Sequence, residues 1–129
     1  FFEKSWIADK YETLSGTSVQ FRTLEAFIED SQYYTHQDIS LKKISEQLDT
    51  NSNTISRLIN SETGNNFNDY INQKRIALAQ ARLFHPEFQQ LTVEAIGESV
   101  GFRSKSAFYS AFKKHTGQSP SAYMKENRT

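Results

Sequence analysis

The sequence predicts an all-α protein in which two helix-turn-helix units are joined by a long linker helix. Apolar residues recur at three- and four-residue spacing in successive segments, the pattern of a helix with one buried face. Glycine and proline are scarce, with five and two among 129 residues. No segment alternates apolar and polar residues for long enough to indicate a strand. Helices must therefore supply the core.

Composition limits the classes of protein that the chain can belong to. A hydrophobic fraction of 36% and a charged fraction of 23% are typical of a soluble globular domain, and no apolar run approaches the roughly 18 residues that a membrane span needs. Cysteine is absent, which excludes a disulfide framework and a thiolate metal site. The chain begins at Phe1 without a signal-peptide pattern. We therefore expect a cytoplasmic piece of a longer protein.

The first helix-turn-helix subdomain is predicted over residues 19–66, after a linker or docked N-terminal segment at residues 1–18. A helix is predicted from Val19 to Tyr34, with its apolar residues on one face. Ser40 is the expected N-cap of a short second helix, and Asp49-Thr50-Asn51 is the expected turn. A third helix then begins near Ser52 and ends at Gly64, since glycine tolerates the left-handed backbone of a helix end.

A linker helix is predicted over residues 67–85, where Pro86 removes a backbone donor and stops it. Its length of about 28 Å is comparable with the roughly 34 Å between successive major-groove faces of DNA. Arg75 and Arg82 lie on this helix. An intramolecular ion pair is at least as good an interpretation of them as a DNA contact, so neither is a candidate binding residue.

The pattern repeats in a second helix-turn-helix subdomain, predicted over residues 86–129. Thr92 is the expected N-cap of its first helix, Gly101-Phe102-Arg103 the turn, and Ser104 the start of a helix that ends at Gly117. Ser119-Pro120 then opens a last short helix. Residues 52–64 match residues 105–117 at an offset of about fifty residues, which indicates an internal duplication.

The order of residues from Val100 to Tyr123, VGF-x-S-x-S-x-F-x-x-x-FKK-x-x-G-x-S-P-x-x-Y, resembles the AraC family of bacterial transcription regulators. The resemblance covers about residues 38–125. It implies a bihelical, homeodomain-like domain of seven helices that contacts two successive major grooves as a monomer; the length of the linker helix fits a site of about 20 base pairs. It also implies contact with RNA polymerase, an upstream regulatory or membrane-anchored sensor part, dimerisation through that part, and no enzyme activity.

Candidate DNA-binding residues are the outward side chains of the second helix in each unit, because that helix enters the major groove. In the first unit they are Asn53, Thr54, Ser56, Arg57 and Asn60. In the second unit they are Arg103, Ser104, Lys105, Ser106, Tyr109, Ser110 and Lys113. Arg57 is the best candidate for base readout, since its guanidinium can bond both acceptors of a guanine. Many relatives carry arginine where this chain has Ser110, so base specificity is expected to rest mainly on the first unit.

Charge leaves two classes of function open. Net charge is zero, but residues 1–40 carry three basic and seven acidic side chains, whereas residues 41–129 carry twelve basic and eight acidic ones. The basic excess thus coincides with the repeated motif and favours double-stranded DNA as the partner. The alternative is a helical protein-interaction module. An enzyme, a cofactor or a metal site is not expected, because the three histidines are far apart and His115 is most simply an exposed helix cap.

Overall fold

The computed structural model describes residues 17–127, and seven α-helices account for most of that range. They are α1 (Thr17–Glu29), α2 (Leu41–Gln47), α3 (Ser52–Thr63), α4 (Phe67–Phe84), α5 (Val93–Ser99), α6 (Lys105–Thr116) and α7 (Pro120–Asn127). Two 3-10 segments lie at Asp30–Thr35 and Pro86–Phe88. No residue from 17 to 127 is in a strand, so the all-α prediction is confirmed. Over the same residues, none of the helices combines the length and apolar character of a membrane span.

The chain forms two compact units. Of the described residues, the first unit contains residues 17–33 and Asp38–Tyr70, and the second contains Tyr34–Gln37 and residues 71–127. The first turn of α4 therefore belongs to the first unit and the rest of that helix to the second. The predicted interpretation of residues 1–16 as a linker or docked segment falls outside the described residues.

The first unit is built by packing α2 and α1 against α3. Its buried apolar residues come from all three helices and from the start of α4: Leu24, Ile28, Ile44, Ile55, Leu58, Ile59 and Tyr70. The Tyr70 ring lies 6.2 Å from the ring of Phe21, and its hydroxyl donates a hydrogen bond to the carboxylate of Glu25. Burial, followed by this hydrogen bond, raises the pKa of Tyr70, so the phenol is a neutral core residue.

The first helix is shorter than the sequence predicts. We expected it to run to Tyr34, but α1 ends at Glu29 and the chain continues as a 3-10 segment. Ser31 and Gln32 adopt left-handed backbone, with φ of 53° and 56°. Such φ values are uncommon for residues other than glycine and end an α-helix. The break directs Tyr34–Gln37 into the second unit.

The core of the second unit is aromatic. Ile76, Ala79 and Leu83 of α4 pack with Ile96 and Val100 of α5 and with three phenylalanines. The ring of Phe108 lies 5.4 Å from that of Phe102 and 5.7 Å from that of Phe112, and all three are at most 4% exposed. This confirms the prediction that these phenylalanines pack in the core rather than stack on bases.

Hydrogen-bonded caps set the starts of the four helices in the two helix-turn-helix motifs. Ser40 and Thr92 accept the third backbone N–H of α2 and α5 at 3.1 and 3.0 Å. Asn51 and Ser104 do the same for α3 and α6, at 2.9 and 3.0 Å. Side-chain caps of this kind stabilise a helix by about 1 kcal/mol each.

Glycines in left-handed backbone end both second helices, Gly64 at φ 75° and Gly117 at φ 82°. In addition, Thr63 and Thr116 each donate a hydroxyl hydrogen bond to the carbonyl four residues earlier. The duplication seen in the sequence therefore extends to the hydrogen bonds that end each helix.

Three details differ from the sequence-based expectations. Helix α4 ends at Phe84 rather than at residue 85, because His85 is extended and its side chain caps the following 3-10 turn. Arg75 binds carbonyls instead of forming an ion pair, donating to the backbone oxygens of Tyr34 (2.7 Å) and His36 (2.9 Å). His115 is half-buried, and its Nε2 is enclosed without a hydrogen-bond partner among the described residues, so it is not a simple exposed cap.

Arg75 joins the segment Tyr34–Gln37 to the turn of the second motif. It is 8% exposed, and its guanidinium lies 5.6 Å from the ring centre of Phe102 in that turn. Gln37 adds a side-chain hydrogen bond to the Phe102 carbonyl at 3.2 Å. Burial, followed by the charge of Arg103, lowers the pKa of Arg75 to about 10, so its guanidinium is still charged at neutral pH.

Candidate nucleic-acid interface

The outward face of α3 gathers four of the five residues predicted for the first unit. Asn53, Arg57 and Asn60 are exposed, and Ser56 is half-buried between them. Together with Ser61 they line an open, shallow concavity of about 440 Å³. They share a face because residues three and four apart on a helix are neighbours. Ser61 was not predicted, although its position four residues after Arg57 places it on the same stripe.

Thr54 is the exception in the first unit. Its backbone N–H and its hydroxyl both donate to the Asn51 side chain, at 2.9 and 3.1 Å. The hydroxyl hydrogen is therefore used inside the protein, and only the lone pairs of its oxygen are available to a ligand. Thr54 contributes to the start of α3 more directly than to the outward face.

The seven residues predicted for the second unit are placed at the start and on the outer side of α6. Tyr109 is half-buried. The other six are exposed: Arg103, Ser104, Lys105, Ser106, Ser110 and Lys113. Arg103, Ser104 and Lys105 border an open cleft of about 330 Å³, whose opposite wall is the first turn of α5. This cleft lies at the start of α6, whereas the concavity of the first unit lies along α3, and the cleft also contains an acidic group that contacts α6.

That group is Glu94, in the first turn of α5. Its carboxylate accepts a hydrogen bond from the Tyr109 hydroxyl at 2.9 Å and lies 3.6 Å from the Lys105 ammonium. The ammonium also lies 5.4 Å from the centre of the Tyr109 ring. We name these three residues the Glu94 cluster. Two of the seven predicted side chains are therefore already bound to a carboxylate within the protein.

The electrostatics of the Glu94 cluster agree with its geometry. The pKa of the Glu94 carboxyl is lowered, first by a hydrogen bond from its own backbone N–H, then by the Tyr109 hydroxyl and the Lys105 charge. The pKa of Tyr109 is raised, first by burial and then by its hydrogen bond to Glu94. At neutral pH the cluster holds a carboxylate, an ammonium and a neutral phenol.

Two more of the predicted residues have structural contacts. Arg103 donates to the backbone carbonyl of Gln37 at 3.0 Å, which holds its guanidinium beside the turn. The Ser104 oxygen accepts the N–H of Ala107 as the cap of α6. Ser106, Ser110 and Lys113 have no such side-chain bonds within residues 17–127, and they resemble Asn53, Arg57 and Asn60 of the first unit in this respect.

Sequence reasoning missed Glu94 and Gln37. Acidic residues are common in the first turn of a helix because their charge interacts favourably with the helix dipole. The position of Glu94 therefore indicates no second role. Its pairing with Tyr109, fifteen residues later, requires knowing how α5 packs on α6. Gln37 lies in a segment whose association with the second unit has no sequence pattern. Among residues 17–127, no three His, Asp or Glu side chains are grouped so as to hold a metal ion.

Comparison with known proteins places this arrangement in a family. The sequence pattern of a helix-turn-helix domain family matches residues 44–126, nearly two thirds of the chain. The C-terminal domain of AraT, a response regulator from Geobacillus stearothermophilus, superposes with a TM-score of 0.75 and 26% identity over 91% of this chain and 90% of that one. The chain belongs to the AraC family of transcription regulators. It is a DNA-binding domain of that family.

Other members support this assignment. The C-terminal domain of the response regulator yesN from Fusobacterium nucleatum has 33% identity and a TM-score of 0.68, over 81% of this chain and 96% of that one. The Msm operon regulatory protein of Streptococcus mutans is 30% identical over 89% of this chain, and the transcriptional activator NphR of a Rhodococcus species is 31% identical over 93% of it. Both of these relatives are named as regulators. The chain spans only 39% and 32% of their respective lengths.

Proposed function

We propose that this AraC-family domain activates transcription by reading two successive major grooves, one with each helix-turn-helix unit. The observation that carries the proposal is the repeated motif itself. In both units a side-chain-capped second helix of twelve residues ends at a left-handed glycine and exposes a polar outer face. A helix of this kind reads base edges with the outward residues near its N-terminus.

In this proposal the first unit supplies most of the base specificity. Its outward residues include one arginine and two asparagines, which form the bidentate pairs that distinguish guanine and adenine in the major groove. Arg57 is exposed, and the described part of the chain shows no ion pair or hydrogen bond for its guanidinium. It can therefore turn to a base without first breaking a contact within the protein.

The second unit contributes mainly phosphate contacts. Its outward residues are hydroxyls, two lysines and Arg103, whose guanidinium donates to the Gln37 carbonyl. Hydroxyls and lysines fix the position of a protein on the duplex more than they select a sequence. Ser110 stands at the position equivalent to Arg57, as the 53-residue offset between the capping residues Asn51 and Ser104 shows. At this position of its second helix, the second unit thus lacks the side chain best suited to a guanine.

We further propose that the domain acts within a longer protein. The relatives are about two and a half to three times as long as the matched region, and one of them is named a transcriptional activator. The remainder would be a regulatory or sensor part that controls dimerisation, and the DNA-bound domain would contact RNA polymerase. Deletion of that part should change transcriptional output from a target promoter, and unchanged output would contradict this role.

The groove-reading proposal can be tested with the 129-residue chain and a pool of randomised duplexes at two salt concentrations. We expect enrichment of a site of about 20 base pairs, consistent with two half-sites one helical turn apart. Arg57→Lys keeps the charge but removes the bidentate fork. It should lose specificity at one base pair, by about 1–3 kcal/mol, with little change in binding to random duplex.

Arg22→Lys is the matched control, because Arg22 is an exposed cation of the first unit that lies on α1 rather than on α3. It should leave the enriched sequence unchanged. An enriched site of only one half-site would contradict two-groove reading. Binding that is absent even at low salt would favour the protein-interaction module, because phosphate binding weakens steeply with salt and apolar docking does not.

A further inference from the structure

The Glu94 cluster places a negative charge at the surface of the second unit where the proposed function puts DNA. Glu94 is exposed, and it faces Lys105 and Tyr109 at the start and outer side of α6. A carboxylate beside a phosphate is repelled, so it does not add to the affinity for DNA. Its bonds to two residues of the recognition helix point to another role.

The first unit shows that the motif does not need this charge. The N-caps Ser40 and Thr92 are 52 residues apart, so the residue that corresponds to Glu94 is Lys42, an exposed cation. By the offset of the second helices, Lys105 and Tyr109 correspond to Ser52 and Ser56. The acid, the cation and the phenol are thus all particular to the second unit.

Each partner of Glu94 is restrained in a different way. The Tyr109 hydroxyl donates its only hydrogen to the carboxylate, which fixes the ring against α5 and leaves the oxygen lone pairs outward. The Lys105 ammonium lies between the carboxylate and the ring. An ammonium in that position is partly neutralised, and its contact with a phosphate competes with its contact to Glu94.

We propose that Glu94 is a positioning residue that sets DNA specificity by withholding Lys105 from non-specific phosphate contact and by fixing Tyr109. On random duplex, Lys105 stays with Glu94 and the second unit contributes one phosphate contact fewer. On the correct site, Tyr109 and the α6 backbone contact the major groove in the positions they already have, without a rearrangement of the Tyr109 side chain. The charge thus widens the difference between specific and non-specific binding. This inference rests on the proposed function.

Glu94→Gln tests the proposal, because glutamine keeps an acceptor for Tyr109 and removes the charge. Lys105 then becomes available to a phosphate of random duplex, whereas on the correct site Tyr109 and the α6 backbone already fix the position of α6 and no further phosphate contact is added. The slope of log K against log salt on random duplex should steepen by about 0.9, the value of one added phosphate contact. Binding to random duplex should strengthen several-fold at low salt, and the ratio of specific to non-specific affinity should fall by a similar factor.

Glu98→Gln is the charge-matched control, since Glu98 is an exposed acid one turn further along α5. It removes the same charge but releases no lysine, and it should leave the slope close to that of the wild type. In a Lys105→Gln background, Glu94→Gln should no longer change the slope. Circular dichroism of each variant checks that the helices are intact.

The outcomes separate this inference from the proposed function. If the wild type selects a site but Glu94→Gln and Glu98→Gln give equal slopes, the role of Glu94 is refuted and the function stands. A slope change that persists without Lys105 also refutes it, because a general charge effect then suffices. If the wild type binds no duplex at all, both proposals fall.

Discussion

Gly97 of α5 packs directly against Phe108 of α6, and adding one methyl group there should destabilise the domain. Gly97 is buried within α5, and a Cβ atom placed on it would overlap the side chain of Phe108. Phe108 is 1% exposed and in ring contact with Phe102, Phe112 and Tyr109. These neighbours restrict the movement of the ring.

Two effects of opposite sign decide the result of Gly97→Ala. Replacing glycine by alanine inside a helix gains about 1 kcal/mol of helix propensity. Inserting a methyl group into a closely packed core costs about 1–3 kcal/mol, because side chains leave their rotamers or the backbone shifts. The overlap at Gly97 is with the near end of the ring, which swings least, so the upper part of that range applies. We expect a net loss of about 1–2 kcal/mol.

Denaturant unfolding followed by far-UV circular dichroism measures this loss, and amide hydrogen exchange shows whether it is confined to the second unit. Gly97→Ala combined with Phe108→Leu should be less destabilised than the sum of the single variants, because the shorter side chain leaves room for the methyl group. Glu98→Ala, at an exposed position of the same helix, should change stability by less than about 0.5 kcal/mol. A Gly97→Ala protein at least as stable as the wild type would refute the packing argument.

Two further predictions concern the turn of the second motif and use the same unfolding assay. Both Gly101 and Gly117 have positive φ (115° and 82°), but Gly101→Ala should destabilise the domain more than Gly117→Ala. A Cβ at Gly101 would lie 2.7 Å from the Arg75 side chain, whereas one at Gly117 would meet no atom within 4 Å. Equal losses of stability would show that φ alone decides the effect. Arg75→Lys should lower the free energy of unfolding by about 1.5–3 kcal/mol, because one ammonium cannot replace the planar guanidinium that donates to the carbonyls of Tyr34 and His36. Wild-type stability in this variant would show that these hydrogen bonds make no net contribution to stability.

The starts and ends of the helices could be predicted from the sequence because local chemistry sets them. Ser40 and Thr92 are predicted as caps from their residue type and Ser104 as the start of a helix, and the structure shows each side chain accepting the N–H of the third helical residue. Gly64 and Gly117 end their helices in left-handed backbone as expected. In all of these cases the cause lies within four residues of the effect.

What the sequence could not predict depends on contacts between distant residues. The end of α1 is set by left-handed backbone at Ser31 and Gln32, residue types that give no such signal. Arg75 could be placed mid-helix, but its acceptors are carbonyls about forty residues earlier in the chain. Glu94 could be recognised as a first-turn acid and not as a partner of the recognition helix. Each of these requires the packing to be known.

The two units use one backbone design with different side chains, and the differences bear on their separate roles. Where the second unit combines a bare Gly97 with a large Phe108, the corresponding residues of the first unit are Ser45 and Ile55, both buried. The unit with the larger residue on its second helix, Phe108, has the smaller residue on its first helix, Gly97. The packing of the helix pair is therefore preserved although the buried residues differ. At the surface, Lys42 and Arg57 of the first unit correspond to Glu94 and Ser110 of the second. Buried exchanges preserve the scaffold, and surface exchanges alter its charge. The duplicated motif therefore allows the proposed division, with base readout in one unit and controlled phosphate contact in the other, without a change of fold.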